Sequence, residues 1–443
     1  MTLKPMNTSA NPFFSARNGA LIGGAISTVC YLYMAVNSQS YGDLGLYPFL
    51  FCSLLCGLIS ILVWWHHTSI DEQINIWTLL SFALLFRAIG VFTFPILEDD
   101  FYRYLWDARM TIESGSPYGK PPSSYFDTEL GDKFELILGA VNYPDISTVY
   151  GPIGQWFFAL AYLISPGEVW PLQLLFGGAD IVVIFLLLKL AKPTTVLLYA
   201  WSPLIIKEFA ITAHPDVLGA LFLLAALMST QRRHYVWAGI FLAFAAGVKV
   251  FALILLPFLI GKHWRAWCSF LVVAILIALP FGLREAWIPA GLAAMGSDWL
   301  FNAPLYALLS NFFSIITIKA ILLVSLALIC GIYLISTTLR SHEEKKLAIK
   351  FRADLLFAGL FLCMPAFNPW YLVWLLPFSV ITPRPWAWVA SLSLLLSYAC
   401  GINLPQSGLE SYQHPNWVLV IEFGLIALAV LVPIIVGTKK RII

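Results

Sequence analysis

Charge is what this sequence has least of. Asp, Glu, Lys and Arg make up 11% of its 443 residues, against about 25% in ordinary soluble domains. So small a charged fraction cannot cover a water-facing surface, which excludes a cytosolic enzyme and a disordered chain alike. Paired cysteines are missing as well. Cys30, Cys52, Cys56, Cys268, Cys330, Cys363 and Cys400 each lie in or beside an apolar stretch, and none forms a CxxC pair. They read as small buried hydrophobes, neither a disulfide framework nor a metal site. There is no HExxH, no glycine-rich nucleotide loop and no nucleic-acid signature.

What is abundant is apolar surface. The AVILMFWYC set makes up 60% of the chain and aromatics 15%, with a mean hydropathy of +0.82. Such a chain dissolves in lipid, and the expected fold is all-α: a polytopic transmembrane helical bundle. Apolar runs recur from 19–36, 45–65 and 74–97 through to 386–403 and 416–436, about 12 to 14 in all, several shorter than the ~20 residues a span needs. The run 235–260 suits either one long helix or two half-helices meeting near Lys249.

Basic residues cluster at Lys4/Arg17, Lys189/Lys192, Arg232/Arg233, Lys262/Arg265, Arg340 with Lys345, Lys346, Lys350 and Arg352, and Lys439/Lys440/Arg441. The positive-inside rule puts these in the cytoplasm. Both termini are then inside, in an inner (plasma) membrane, and 98–150 lies outside. The run 152–165 becomes a re-entrant or interfacial helix, because a full crossing would carry Lys189 and Lys192 out. The expected organisation is one integrated membrane domain: N-terminal spans over 1–97, an external acidic loop over 98–168, and further spans over 169–443.

The loop 98–150 is the only long polar segment and holds ten acidic and four basic side chains. It opens Glu98-Asp99-Asp100-Phe101-Tyr102-Arg103-Tyr104-Leu105-Trp106-Asp107-Ala108-Arg109. At helical spacing Phe101, Leu105 and Ala108 share an apolar face, and Asp100, Arg103 and Asp107 a polar one. Asp99 and Arg103 are i,i+4 neighbours. An amphipathic helix at the membrane surface is expected, with paired carboxylates at its start. That pair is either a charged helix N-terminus favoured by the dipole or a chemical site.

The run Asp99–Asp107, followed by Gly115-Ser116-Pro117-Tyr118, resembles the first external loop of the GT-C superfamily of glycosyltransferases. The resemblance is to bacterial mannosyltransferase-like members that use a polyprenyl-phosphate sugar donor. It continues through Tyr150-Gly151-Pro152 with Gln155, Ser202-Pro203-Leu204, Glu208, His214-Pro215-Asp216, Lys249 with Pro257, and Asn368-Pro369-Trp370-Tyr371 with Trp374 and Pro377. It implies a GT-C-like bundle whose long first external loop is catalytic and carries interfacial helices. It also implies transfer of a mannose-like hexose from a polyprenyl-phosphate donor to a glycan or lipid acceptor on the outer face.

An acceptor hydroxyl needs a carboxylate base, and a departing polyprenyl phosphate needs a cation or oriented donors. A single displacement inverts the anomeric carbon. Carried over residue by residue, the resemblance makes Asp99 and Asp100 the catalytic pair, with Asp99 as base and Asp100 orienting the acceptor or holding Arg103. Lys249, Arg103 and Arg284 would meet the donor phosphate. Tyr102, Asp107, Tyr150, Glu208, His214, Asp216, Trp370 and Tyr371 would bind substrate. Each also has a plainer role: Lys249 snorkelling, Asp216 capping a helix, Trp370 and Tyr371 in an interfacial belt. Arg87 and Asp180, both mid-span, are expected to neutralise each other, and Glu422 has no evident partner.

Asp107 is the only third acid at ligand spacing from the Asp99–Asp100 pair, and monosaccharide-transferring GT-C enzymes generally act without a metal. No metal and no other cofactor is therefore expected. The rival reading is a transporter or flippase of lipid-linked sugars, with Arg87, Asp180, Lys249 and Glu422 as a substrate path. Against it stand the absence of an inverted repeat in the sequence and an acidic outer loop that alternating access does not need.

Overall fold

The computed structural model describes residues 16–40, 43–289, 291, 299–340, 352–400 and 415–435. Lys4, Lys345, Lys346, Lys350, Lys439, Lys440, Arg441 and the turn 404–414 lie outside the described residues. The chain is all-helical there, apart from one isolated bridge between Phe301 and Ala366.

Among the described residues five helices are long and apolar enough to cross a membrane: Ala16–Val36, Leu46–Ser69, Trp170–Leu187, Trp264–Phe281 and Ile315–Ser336. Their outward faces keep large apolar side chains, such as Tyr47, Phe51, Leu271, Leu276, Ile316 and Leu323, as lipid requires. The chain is a multi-pass membrane protein. The helices that frame the site are α1 (Ala16–Val36), α2 (Leu46–Ser69), α3 (Ile76–Val91), α4 (Asp100–Glu113), α5 (Asp132–Gly139), α6 (Pro152–Ile164), α7 (Trp170–Leu187), α8 (Pro193–Ala200), α9 (Pro203–Ile206), α10 (Asp216–Gln231), α11 (Tyr235–Val248), α12 (Leu256–Ile260) and α13 (Trp264–Ala278).

Twelve to fourteen apolar runs thus give five such helices, for a reason readable in the backbone. Proline and irregular turns cut several runs into shorter pieces. The run 194–211 is bent by 51° at the break between Ala200 and Pro203, and a π-helical turn follows at Lys207–Ile211. The run 235–260 breaks at Lys249, which is extended (φ −150°, ψ 145°) between α11 and a 3₁₀ turn, Val250–Leu255. The run 370–382 opens as a 3₁₀ turn, Pro369–Trp374. The stretch 152–165 folds as the short helix α6.

Packing draws these pieces around one core. α11 lies between α10 and α13, α1 packs on α2 and α3, α4 packs on α6, and α10 touches the turn Pro369–Trp374. Two glycines permit close approaches beside the site. A Cβ at Gly219 would lie 2.1 Å from the Trp374 ring, and one at Gly151 would lie 2.3 Å from the Gly247 carbonyl. The second contact pins the end of the acidic loop against the break at Lys249. α4 departs from expectation. Both its faces are covered: Phe101, Leu105 and Ala108 are buried, but so are Arg103 and Asp107. It is sandwiched, not laid on a surface.

Candidate active site

Helix breaks build the site. Leu97, Tyr143 and Ala213 all have left-handed backbones (φ 54°, 46° and 57°), a costly conformation for residues with a Cβ. Leu97 turns the chain into Glu98 and α4, and Ala213 turns it into His214 and α10. Tyr143 shapes the loop that closes over α4.

Around these turns lies a cavity of about 490 Å³, within the roughly 300–1,000 Å³ range of small-molecule sites. Asp100, Arg103, Asn142, Tyr150, Lys249, Trp370 and Tyr371 are on its wall, amid apolar and aromatic side chains. Asp100 accepts hydrogen bonds from the Tyr150 hydroxyl at 2.9 Å and from Asn142 Nδ2 at 2.9 Å. Asn142 Nδ2 also donates to Asp99 Oδ1 at 2.9 Å. Asp99 is not among the lining residues. Asn142 therefore bridges the two carboxylates, and only Asp100 presents itself to the cavity.

Lys249 reaches the wall because α11 stops just before it. Its Nζ meets both carboxylate oxygens of buried Asp216 at 2.8 and 2.9 Å and lies 4.6 Å from the Tyr371 ring centre, a cation–π contact. Trp374 Nε1 donates to the same Asp216 carboxylate at 2.6 Å. Asp216 is the first residue of α10, so it occupies the helix start expected of a cap while its carboxylate anchors the lysine.

Behind the wall the polar groups continue. Tyr104 OH and His214 Nδ1 are 2.8 Å apart, and His214 stacks on Trp370 at 4.5 Å between ring centres. His214 Nε2 lies 3.2 Å from Glu208 Oε2 without hydrogen-bond geometry. Glu208 is held by Lys207, by Thr212 Oγ1 at 3.1 Å and by the Tyr398 hydroxyl. Burial, reinforced by Lys207 and Lys249, keeps the His214 imidazole well below its usual titration range. Glu98 is fully buried. Its Oε1 accepts the backbone N–H groups of Asp99 and Asp100 at 3.2 and 3.3 Å, while its Oε2 has no hydrogen-bond partner among the described residues. Burial, then repulsion from Asp100, pushes its carboxyl well above the ordinary range.

The structure distributes the expected residues unevenly. Asp100, Arg103, Tyr150, Lys249, Trp370 and Tyr371 share the cavity wall. His214, Glu208 and Asp216 lie buried behind it. Arg103 is spoken for: its guanidinium donates to the carbonyls of Asn142, Tyr143 and Ile146 at 2.8, 2.9 and 3.0 Å. It braces the loop from the cavity wall, where the resemblance implies a contact with the donor phosphate. Asp107 is buried, takes Gln155 Nε2 at 3.0 Å, and is raised by burial to about 6 against the pull of Arg103. Tyr102 is half-buried, its ring against Phe101. Arg284 is exposed on the short helix Leu283–Trp287 and is not on the cavity wall, so it does not join the site.

Glu98, Asn142, Tyr104, Lys207 and Tyr398 were not singled out from sequence. Glu98 had a signal, a third consecutive acid where apolar sequence ends, but it read as one acid among ten. Reasoning about metal ligands by local spacing missed a three-dimensional group: ligand atoms of Glu98, Asp100 and His214 all lie within 4.8 Å of one another.

A multi-pass helical membrane protein with a carboxylate and an ammonium on the wall of one aromatic-lined cavity has the parts of a membrane glycosyltransferase. Residues 19–265 match the N-terminal domain of the alpha-(1->6)-mannopyranosyltransferase family, more than half the chain, and the chain belongs to that GT-C-like family of glycosyltransferases. Asp100, His214, Asp216 and Lys249 fall inside the matched range; Trp370 and Tyr371 fall outside it. No curated protein and no solved structure matches the chain.

Proposed function

We propose that the protein transfers a mannose-like hexose from a polyprenyl-phosphate donor to a glycan or lipid acceptor at the outer face of the membrane. The observation that carries this reading is the joint presence of Asp100 and Lys249 on the wall of one cavity. In this reading Asp100 takes the proton of the acceptor hydroxyl as the anomeric carbon is attacked and inverted. Its place on the wall favours it over Asp99, which acts through Asn142 as a positioning group. Lys249 meets the phosphate that leaves. An ammonium has three donors, and its two contacts to Asp216 leave one for a phosphate oxygen. Trp370 and Tyr371 offer flat faces on which a sugar ring stacks. The segregation of basic clusters from the acidic loop supports an outward-facing site with cytoplasmic termini, and the broken helices around it suit a GT-C-like bundle.

The test is an assay of purified protein in nanodiscs with a synthetic polyprenyl-phosphate mannose and a panel of glycan and lipid acceptors. The expected result is a mannosylated acceptor with release of polyprenyl phosphate. Movement of intact donor between leaflets, with no cleavage, would instead make the protein a flippase and overturn the proposal.

A further inference from the structure

We propose that Glu98, Asp100 and His214 hold a divalent transition-metal ion at the cavity wall. One ligand atom from each lies within 4.8 Å of the other two, close enough to converge on a single ion. Glu98 and His214 are fully buried, and Asp100 is partly exposed on the cavity wall, so the group is closed on the protein side and open on the cavity side. Two separate elements supply it, the turn into α4 and the turn into α10.

The independent observation is the unpartnered Glu98 Oε2. A buried carboxyl can lose its charge by taking a proton, but the resulting hydroxyl must then donate to something. Among the described residues nothing receives it at Oε2. An ion at this point would give that buried oxygen a partner. The His214 ring offers a nitrogen, the ligand atom an imidazole supplies to a metal. Its contact with the Tyr104 hydroxyl fixes the ring, as the outer partner of a metal-binding histidine does. Two carboxylates and an imidazole suit Mn²⁺ or Zn²⁺, whereas Mg²⁺ and Ca²⁺ favour oxygen-only sets.

Beside the transfer site the ion would give the departing phosphate a second positive charge in addition to Lys249, with the other Asp100 oxygen kept for the acceptor proton. That last role rests on the transferase reading; the site itself does not.

Chelator-stripped wild-type protein in detergent is titrated with Mn²⁺ alone, and bound ion is counted by electron paramagnetic resonance. One Mn²⁺ per chain is expected, with nitrogen modulation in the pulsed spectrum from the His214 ring. Glu98→Gln should weaken binding at least about tenfold, since an amide is a poor ligand. His214→Gln should remove the nitrogen signature, and Glu129→Gln, an exposed acid of the same loop, should bind as wild type. If Glu98→Gln does not fold, wild-type stoichiometry and the His214→Gln spectrum still decide. Absence of bound Mn²⁺ in wild type, or binding without nitrogen coupling, or binding that neither site variant alters, overturns the site. Sugar transfer by a protein that binds no Mn²⁺ when titrated would remove the metal site and leave the transferase standing. An ion bound by a chain that transfers no sugar would do the reverse.

Discussion

Arg87–Asp180 and Lys249–Asp216 are both tight ion pairs, closed at 2.7 and 2.8 Å, yet only the second borders the cavity. Arg87 leaves α3 to meet Asp180 of α7, and every neighbour completes the pair: Tyr199 OH donates to Asp180 at 2.7 Å, and Arg87 donates to the carbonyls of Ala83 and Ala200 at 3.1 and 2.6 Å. Ala83 lies within α3 and Ala200 ends α8, so the pair ties α3, α7 and α8 together in a buried interior. Lys249 is 14% exposed where Arg87 is 3%, and it sits at a helix break with aromatic rings about it. An intramembrane charge in this fold is thus structural when its partners saturate it. It becomes available for chemistry when a broken helix opens it to a cavity.

The contrast can be broken or sharpened by substitution. The largest effect is expected at Asp100. Asp100→Asn keeps size and the Tyr150 and Asn142 contacts in reach but cannot accept a proton, so turnover should fall on the order of 10²–10⁴-fold with melting temperature nearly unchanged. Asp99→Asn, off the cavity wall, should cost less. Rate assays beside thermal melts check both, and a greater loss at Asp99 would move the base to that residue.

Arg87→Ala should do the opposite. Stranding a buried Asp180 should cost about 3–5 kcal/mol of stability and leave the rate per folded molecule near wild type, as read by melting and by active-fraction assay. A specific loss of turnover in well-folded protein would put Arg87 on a substrate path.

Asp107 gives a pH signature of the packed side of α4. Its folded pKa is about 6 against a usual 3.8, so the folded state holds the proton more tightly than the unfolded one. Stability should therefore fall as pH rises from about 4 to about 6, by about 3 kcal/mol in all. Asp107→Asn should flatten that dependence in denaturation curves taken across the window. An unchanged pH profile in the variant would show that Asp107 does not set it.

Lys249→Ala should weaken donor binding by about 1.5–3 kcal/mol, roughly ten- to a hundredfold. Because the change also strands Asp216, the comparison is best made in an Asp216→Asn background. Equal affinity for polyprenyl phosphate with and without the lysine would return Lys249 to a snorkelling role.

Much of this was legible in the sequence for a simple reason. In a chain with so few charges, Asp100, Lys249, Asp216 and Asp180 stand out, and hydropathy marks the lipid-soluble stretches directly. The break at Lys249 was readable as one of two options. What was not legible depends on closure in three dimensions. The i,i+4 spacing of Asp99 and Arg103 is visible in sequence, whereas the loop carbonyls some forty residues on that Arg103 meets are not. Glu98 and His214 belong to one cluster only because two left-handed turns aim separate helices at the same point. Arg284 was placed by its position in an outer turn, which says nothing about which way a short exposed helix faces. Apolar runs and helices long enough to span are different sets, because proline and 3₁₀ turns divide several runs, which sequence alone does not reveal.

The most direct test of Asp100 as a base is the anomeric configuration of the product. With a donor of defined configuration and wild-type protein in nanodiscs, nuclear magnetic resonance of the transferred sugar should show the opposite anomer, the mark of one displacement assisted by a carboxylate base. Retained configuration would require two displacements, with a side chain bonded to the sugar in between, and would contradict the role assigned to Asp100.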